Sequence, residues 1–410
     1  MKILVLNAGS SSQKSRLYEL DNRLPELPPV PLWEANADWA EHQGQTELKI
    51  TTSHGQTLEE KLPTDSRPEI IAHLLQTLWS GNTQVIAQPS GHRVDIAIAG
   101  HRVVHGGQEF QESTIVTPAV KDAIKRLASF APLHNPANLE GIEAVERILP
   151  NVPQVAVFDT VFHSHLPLAA QVYPGPYAWF EQGIRRYGFH GISHQYCAQR
   201  AAQILGRDLA SLRLITCHIG NGCSLAAIQN GHSIDTTMGF TPLEGLMMGS
   251  RSGSVDPGIL TYLLREKGLS ADQFDTMLNK ESGLKGISGL SSDMREILTG
   301  IKEEHARAKL AFDIYVHRLR SCIGAMLASL GGVDALVFAG GVGEHAPSVR
   351  WAVCKAFAFL GLKLDPQKNA HSPADQDIAT ADSTVRVLIV QTQEDWSIAK
   401  ECWRLAPSKK

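Results

Sequence analysis

Apolar and polar positions along this chain alternate between short, wholly apolar runs and longer stretches with helical spacing, the pattern of strands interleaved with helices. Residues 3–6 form an apolar strand that ends in small residues, Asn7-Ala8-Gly9-Ser10-Ser11-Ser12, and residues 15–20 resume as a second strand. Leu212, Leu214 and Ile215 open another strand that runs into His218-Ile219-Gly220-Asn221-Gly222, with residues 224–228 returning beside it before a turn at Asn230-Gly231. Strand, small-residue turn, strand, occurring twice, predicts an internal duplication. Further apolar strands are expected at residues 94–99, 154–158, 334–338 and 385–390. Helical spacing covers residues 70–78, 120–129, a helix capped by Asn138 and running to Ile148, 193–205, a helix opened by Asp256-Pro257-Gly258, 271–278, one long helix over 301–330, 347–360 and 397–405. The polar, proline-dotted stretch 22–88 predicts meander strands around its one helix.

At 410 residues the chain exceeds a typical single core, so two domains are expected. No low-complexity linker marks the boundary, which is placed near residues 162–167. A formal charge of −4 gives no support to a nucleic-acid or polyanion surface. Six cysteines without a CxxC pair fit a reduced compartment. The first apolar run is too short for a secretory signal, and no segment approaches the roughly 18 apolar residues of a membrane span, so a soluble cytoplasmic protein is expected.

The candidate chemistry sits in the turns. Gly220-Asn221-Gly222 is expected to adopt positive φ and offer backbone N–H groups to phosphate oxygens. Gly249-Ser250-Arg251-Ser252-Gly253 sets one arginine among small residues, where it can fork onto phosphate or carboxylate oxygens. With Asp235-Thr236-Thr237 between them these stretches look like a phosphate-handling site; two glycine-rich surface turns are the alternative. Arg102 stands just past a strand and ahead of Gly106-Gly107, well placed to face a cleft. Asp159 follows a buried strand, a frequent catalytic placement, although a cap or turn aspartate is about as common. The serine turn after Asn7 suits phosphate, with the Asn7 carbonyl near a metal, or is a solvated turn. His101 and His105, four apart, lack a third ligand of matching spacing; between His190 and His194, also four apart, Gly191 disfavours a metal-binding helix face, and a single cleft histidine is preferred there. Gly341 to Ala346 matches GxGxxA, but too little chain follows for a dinucleotide fold, so these glycines are read as a bed for a nucleotide's base or ribose. No GxxxxGK[ST] occurs, which excludes a P-loop. Glu394 and Asp395 follow the last strand and suit magnesium, directly or through water.

The blocks NAGSSSQK, GHRVVHGG, APLHNPANL, FDTVFHSHLP, YGFHGISH, HIGNG, MGSRSGSVDPG, SSDMRE and GGVGEH occur in the order in which the acetate kinase family carries them. From Met1 to about Ile398 the chain resembles that family, part of the acetate and sugar kinase, Hsp70 and actin superfamily. The resemblance implies an α/β fold of two duplicated actin-like (ribonuclease H-like) domains with a nucleotide cleft between them. Residues 1–165 plus 389–410 would form the first domain, and 166–388 the second, with nucleotide binding and the contacts of a homodimer. It implies reversible phosphoryl transfer from ATP to acetate, giving acetyl phosphate and ADP, with Mg2+, Mn2+ being the alternative, and no nucleic-acid or membrane partner.

Carried over by position, Arg102 would bind the acetate carboxylate, with His134 supporting the substrate site. Arg251 and His190 would stabilise the transferring phosphoryl group. Asp159 is the family's catalytic carboxylate, read physically as an orienter of Arg251, substrate or metal-bound water. Asn7 and Glu394 would hold the metal. Lys14 and His218, Ile219, Gly220, Asn221 and Gly222 would meet phosphates; Asp293, Met294, Arg295 and Gly341, Val342, Gly343, Glu344 and His345 would line the adenosine side. The chain departs from the family's Asn-Glu-Glu at Gln393-Glu394-Asp395 and from its Gly-Glu-Asn at Gly343-Glu344-His345. A propionate or butyrate kinase, with Val103 as a pocket wall, is the nearest alternative. A non-catalytic nucleotide switch of the same fold is a second. A dehydrogenase, resting on residues 341–346, is a third.

Overall fold

The computed structural model describes residues 1–9, 12–38, 44–88, 95–132, 134–371 and 374–406. Ser10 and Ser11 of the serine turn, Val94 at the start of an expected strand, and Leu133 lie outside the described residues. The chain divides into two compact units, Met1–Val161 with Gln393–Lys410, and Phe162–Thr392.

The first unit is built on β1 (Lys2–Ala8), β2 (Ser12–Glu19), β3 (Trp33–Asp38), β4 (Thr46–Thr52), β5 (Thr57–Leu62), β6 (Ile98–Val103), β7 (Thr114–Ile115) and β8 (Gln154–Phe158). Among the described residues they form one sheet in the order β5-β4-β3-β2-β1-β6-β8-β7. From β5 to β1 every pairing is antiparallel; β1, β6 and β8 run parallel, and β7 closes the edge antiparallel to β8. β1 reads as an unbroken apolar run because it is buried on both faces, as the centre of a partly parallel sheet must be. Its Leu4 and Leu6 share a core with Ile70 and Leu74 of the helix Arg67–Thr77 and Val145 of the helix Asn135–Ile148. The helix Glu394–Leu405 packs on β1, β6 and β8.

The second unit holds β9 (Arg213–Ile219), β10 (Cys223–Gln229), β11 (His232–Thr236), β12 (Ala335–Ala339), β13 (Gln376–Asp377) and β14 (Arg386–Ile389), in the order β11-β10-β9-β12-β14-β13 among the described residues. Three consecutive antiparallel strands, two strands parallel to the first, and a short antiparallel closing strand repeat the plan of β3 to β1, β6, β8 and β7. The duplication expected from two hairpins is thus present in strand order and sense, with β4 and β5 as an extension of the first unit alone.

Several boundaries differ from expectation, each for a physical reason. The strand expected over 94–99 is β6, so Arg102 lies within a strand rather than past it. Gly100 makes this possible. It pairs with Val5, and a Cβ there would stand 2.6 Å from Ile398 Cγ2 and closer still to Cys402 Sγ; only glycine lets that helix lie on the sheet. Asn138 is no cap. It is buried inside the helix Asn135–Ile148, its Oδ1 accepting from the Val104 N–H at 3.1 Å. The single helix expected over 301–330 is two, Met294–Lys302 and Ala306–Leu330; Glu304 between them is left-handed (φ 59°), and His305 Nδ1 caps the second by accepting from the Ala308 N–H. The last helix starts at Glu394, not residue 397, which puts both acids in its first turn. Among the described residues no helix is long and apolar enough to cross a membrane.

Candidate active site

In the first unit, the carboxyl ends of the parallel strands deliver a charged set. Asn7 is near the end of β1, Arg102 near the end of β6, and Asp159 directly follows β8. Arg102 grips Asp159 with Nε 3.1 Å from both carboxylate oxygens and Nη2 2.6 Å from Oδ2. Its Nη1 donates to Asn7 Oδ1 at 3.4 Å. The Asn7 amide then donates to Glu394 Oε2 at 3.2 Å and to Asp395 Oδ1 at 2.8 Å. Asp395, nearly fully buried, also takes an ion pair from Arg16 Nε at 3.2 Å, and Arg16 holds Glu34 at 3.0 Å. Burial pulls the Arg102 guanidinium down and its carboxylate neighbours, Asp159 first, more than restore it, so it stays charged. Burial pushes the Asp395 carboxyl up, against Arg16 and Asn7. Asp159 therefore orients Arg102 within its own unit, a partner that the sequence did not point to. The reason is register: Arg102 and Asp159 stand at the same end of adjacent parallel strands, where a fork meets a carboxylate squarely.

Lys14 sits on β2 opposite Asn7 in the ladder and is exposed. His134 precedes the helix Asn135–Ile148, whose Asn135 bonds both backbone groups of His105 at 3.1 Å. That stitch fixes the segment just after Arg102, and Asn135 is one residue that reading for chemistry alone overlooked. His101 and His105 prove unrelated: His101 Nε2 is bonded to Gln154 Oε1 at 2.6 Å, with burial pulling its pKa down to about 4, while His105 Nδ1 accepts from the Gly107 N–H.

In the second unit, His190 sits at the start of the helix Gly191–Leu205 in the left-handed region (φ 56°, ψ 24°). Non-glycine residues rarely hold this conformation, histidine more often than most, and they cluster at functional sites. Its ring stacks on His218 with centroids 4.2 Å apart and planes at 24°. Its Nδ1 is 2.8 Å from Ser224 Oγ, and His218 Nδ1 is 2.8 Å from Ser193 Oγ. A Cβ on Gly222 would lie 3.4 Å from His190 Nε2 and 3.8 Å from Arg251 Nη1, so the hairpin tip, the histidine and the arginine converge. Arg251 Nη1 also donates to the Pro242 carbonyl at 3.1 Å. Gly249 abuts the tip: its N–H donates to the Asn221 carbonyl at 3.0 Å, and a side chain there would clash with Asn221 Oδ1 and with the Ser292 carbonyl at 2.9 Å. The turn ahead of Asp293 is thereby joined to the same place.

Three expectations for this unit change. Neither Gly220 nor Gly222 adopts positive φ, and the Gly220 N–H is spent on the Gly222 carbonyl at 3.0 Å. The hairpin closes on itself, and what the small residues supply is room for His190 and Arg251. The hydroxyls of Thr236 and Thr237 bond the backbone of Leu225 and brace the sheet rather than face a ligand, while Asp235 holds Ser329. Glu344 turns inward: Oε1 accepts from the Gly340 N–H at 2.9 Å and the Thr392 N–H at 3.2 Å, clasping the short helix Gly340–His345. Arg350, fully buried, holds the Gly343 and Glu344 carbonyls from below at 2.7 and 2.9 Å. His345 is open to solvent. Asp293 caps the helix Met294–Lys302 and pairs with an outlying Arg295.

The comparisons with known proteins agree along the whole chain. The acetokinase family model matches residues 2–400. An acetate kinase of a Cyanothece species is 64% identical over 405 residues, which is 99% of this chain and 98% of that protein. The crystal structure of Porphyromonas gingivalis acetate kinase matches with a TM-score of 0.87 at 40% identity, covering 99% of this chain and all of its own. That of a propionate kinase from Francisella tularensis also reaches 0.87, at 37% identity over 98% of both chains.

Proposed function

The chain belongs to the acetokinase family, and from that premise we propose that it passes the γ-phosphoryl of ATP directly and in line to a carboxylate oxygen of acetate, giving acetyl phosphate and ADP. It is an ATP-dependent acetate phosphotransferase, built of two actin-like domains. The observation that carries this is full-length identity to acetate kinases, 64% for the Cyanothece protein. In the transfer, a P–O bond forms to acetate as the bond from the γ-phosphorus to the β–γ bridging oxygen breaks. Acetate arrives ionised near neutral pH, so no strong general base is required; positioning and charge neutralisation are the whole task.

The geometry supports a division of labour. Arg102, made rigid by Asp159, would hold the acetate carboxylate through the rest of its fork, with His134 nearby in support. Arg251 and His190 would stabilise the equatorial oxygens of the transferring group, in the space left by Gly222. Lys14 and residues 218–222 would attend the phosphates. Asp293 to Arg295 and Gly341 to His345 would line the adenosine side, Glu344 by shaping the backbone. Among the described residues no group of three or more His, Cys, Asp or Glu could enclose a metal. A sparse all-oxygen set suits magnesium, which keeps most of its waters and binds through one or two carboxylates plus substrate phosphates. Glu394 and Asn7 would hold it, the Asn7 Oδ1 through the lone pair that Arg102 does not take, while Asp395 is tied by both Arg16 and Asn7. When bound, the ion would neutralise phosphate charge.

Acyl phosphate trapped by hydroxylamine, with ATP and acetate, propionate or butyrate, tests the reading. Turnover is expected to be strongest with acetate and to fall with chain length. A propionate preference would keep the mechanism and change the substrate; no acyl phosphate from any acid would overturn the assignment.

A cytoplasmic homodimer completes the proposal. The helix Pro257–Lys267 buries none of its residues and exposes Ile259, Tyr262 and Leu264, an apolar face of the kind a second copy covers. Sedimentation equilibrium is expected to give a dimer, and Ile259→Asp with Tyr262→Glu to give a monomer. A monomeric parent would remove this part.

A further inference from the structure

We propose that Ser224, with His194 behind it, is a positioning residue that sets the tautomer of His190 and keeps its Nε2 aimed at the transferring phosphoryl group; this rests on the role given to His190 above. Ser224 is completely buried on β10. Its Oγ lies 2.8 Å from His190 Nδ1 and 2.7 Å from His194 Nε2, and His194 Nδ1 lies 2.8 Å from Thr216 Oγ1. One hydroxyl therefore joins two imidazoles.

A hydroxyl has one proton to give and lone pairs to receive with. His194 is buried beside His163 and His218, and burial first, then those rings, push its pKa well below the usual range, so it is neutral and carries one N–H. Two arrangements satisfy every atom. In one, Thr216 donates to His194 Nδ1, His194 Nε2–H donates to Ser224, and Ser224 donates to His190 Nδ1. The neutral His190 then bears its proton on Nε2, beside Gly222 and Arg251. In the other, His190 Nδ1–H donates to Ser224, Ser224 donates to His194 Nε2, and His194 donates to Thr216. That arrangement accepts a doubly protonated His190, again with N–H at Nε2. The second arrangement would also admit a neutral His190 protonated only on Nδ1, but that tautomer turns a lone pair on Nε2 toward an anionic phosphoryl oxygen. With that oxygen in place the first arrangement serves the neutral ring and the second the charged one, the Ser224 proton changing neighbour without either ring turning. The stacked His218 fixes the plane of the His190 ring but cannot choose its tautomer, and its own Nδ1 is bonded to Ser193. Removing the outer partner of a metal-bound histidine typically costs about 10- to 100-fold, and a loss of similar size is expected for this imidazole.

The test is a double-mutant cycle of Ser224→Ala and His190→Ala at one pH, with 15N shifts of the His190 ring in the parent and the Ser224 variant. Ser224→Ala is expected to lower kcat about 10-fold or more while the KM values for ATP and acetate stay within about twofold. It is expected to add nothing once His190 is alanine, and the His190 ring to pass from one tautomer to a mixture. Equal losses in both backgrounds, or parental turnover in Ser224→Ala, would overturn the proposal. Parental turnover in His190→Ala would instead remove His190 from the reaction, and this proposal with it. If Ser224→Ala does not fold, Ser224→Cys, which fills the space with a poor donor, is read in the same way.

Discussion

Arg251→Ala is expected to lower kcat about 1,000-fold or more while leaving the KM for ATP within a few-fold. An arginine that meets charge only as it develops on a transferring phosphoryl group is typically worth 10³–10⁵ in rate, because its stabilisation is realised in the transition state rather than in the bound ground state. The loop around Arg251 supports that role. Gly249 is pressed against Asn221 and the Ser292 carbonyl, and the guanidinium reaches the space beside Gly222 and the His190 ring. Arg251→Lys should recover little, since an ammonium keeps the charge but not the fork. Steady-state kinetics decide it: a kcat within threefold of the parent would take Arg251 out of the transition state.

Arg102→Ala should do two things at once. The KM for acetate is expected to rise about 10- to 100-fold, the loss of one charge-assisted contact to a carboxylate. Folding stability is expected to fall by about 3–5 kcal/mol, because Asp159, 1% exposed, loses its arginine while staying buried. The two effects separate in the double variant Arg102→Ala with Asp159→Asn. Removing the carboxylate's charge should recover much of the melting temperature and none of the acetate affinity. If only the KM for ATP moved, Arg102 would not face acetate. If the double variant were no more stable than the single, the pair would not be the buried unit the distances describe.

The architecture was legible in the chain because two hairpins announce it. Apolar runs at residues 3–6 and 212–215, each followed by small residues and a returning strand, are β1–β2 and β9–β10, and the strand orders built on them match. What stayed hidden depends on contacts far apart in sequence. Nothing near Gly100 says that Ile398 will lie against it, so the apolar pattern alone ends the strand too early and sets Arg102 beyond it. Asn138 has the composition of a cap, but its partner is the Val104 amide, 34 residues back. The tip glycines suggested positive φ, yet side-chain room, not backbone freedom, is what they supply. The charged residues were readable one by one; their pairing was not. Nothing in the sequence says that Asp159 partners Arg102; strand register is what brings the two together. Ser224 carried no signal at all, since a serine inside an apolar strand declares its purpose only when two histidines are found on it.

The helix Glu394–Leu405 has a consequence for how the protein is made. It buries Trp396, Ile398, Ala399 and Cys402 and packs on β1, β6 and β8, strands that leave the ribosome hundreds of residues earlier. Chains emerge at about 5–20 residues per second and domains tend to fold as units. Residues 162–392 are therefore complete, and free to fold, before the opening sheet receives its last helix. In the nascent chain the sheet that carries Arg102 and Asp159 waits, short of the helix that packs on it, for as long as residues 162–392 take to be made.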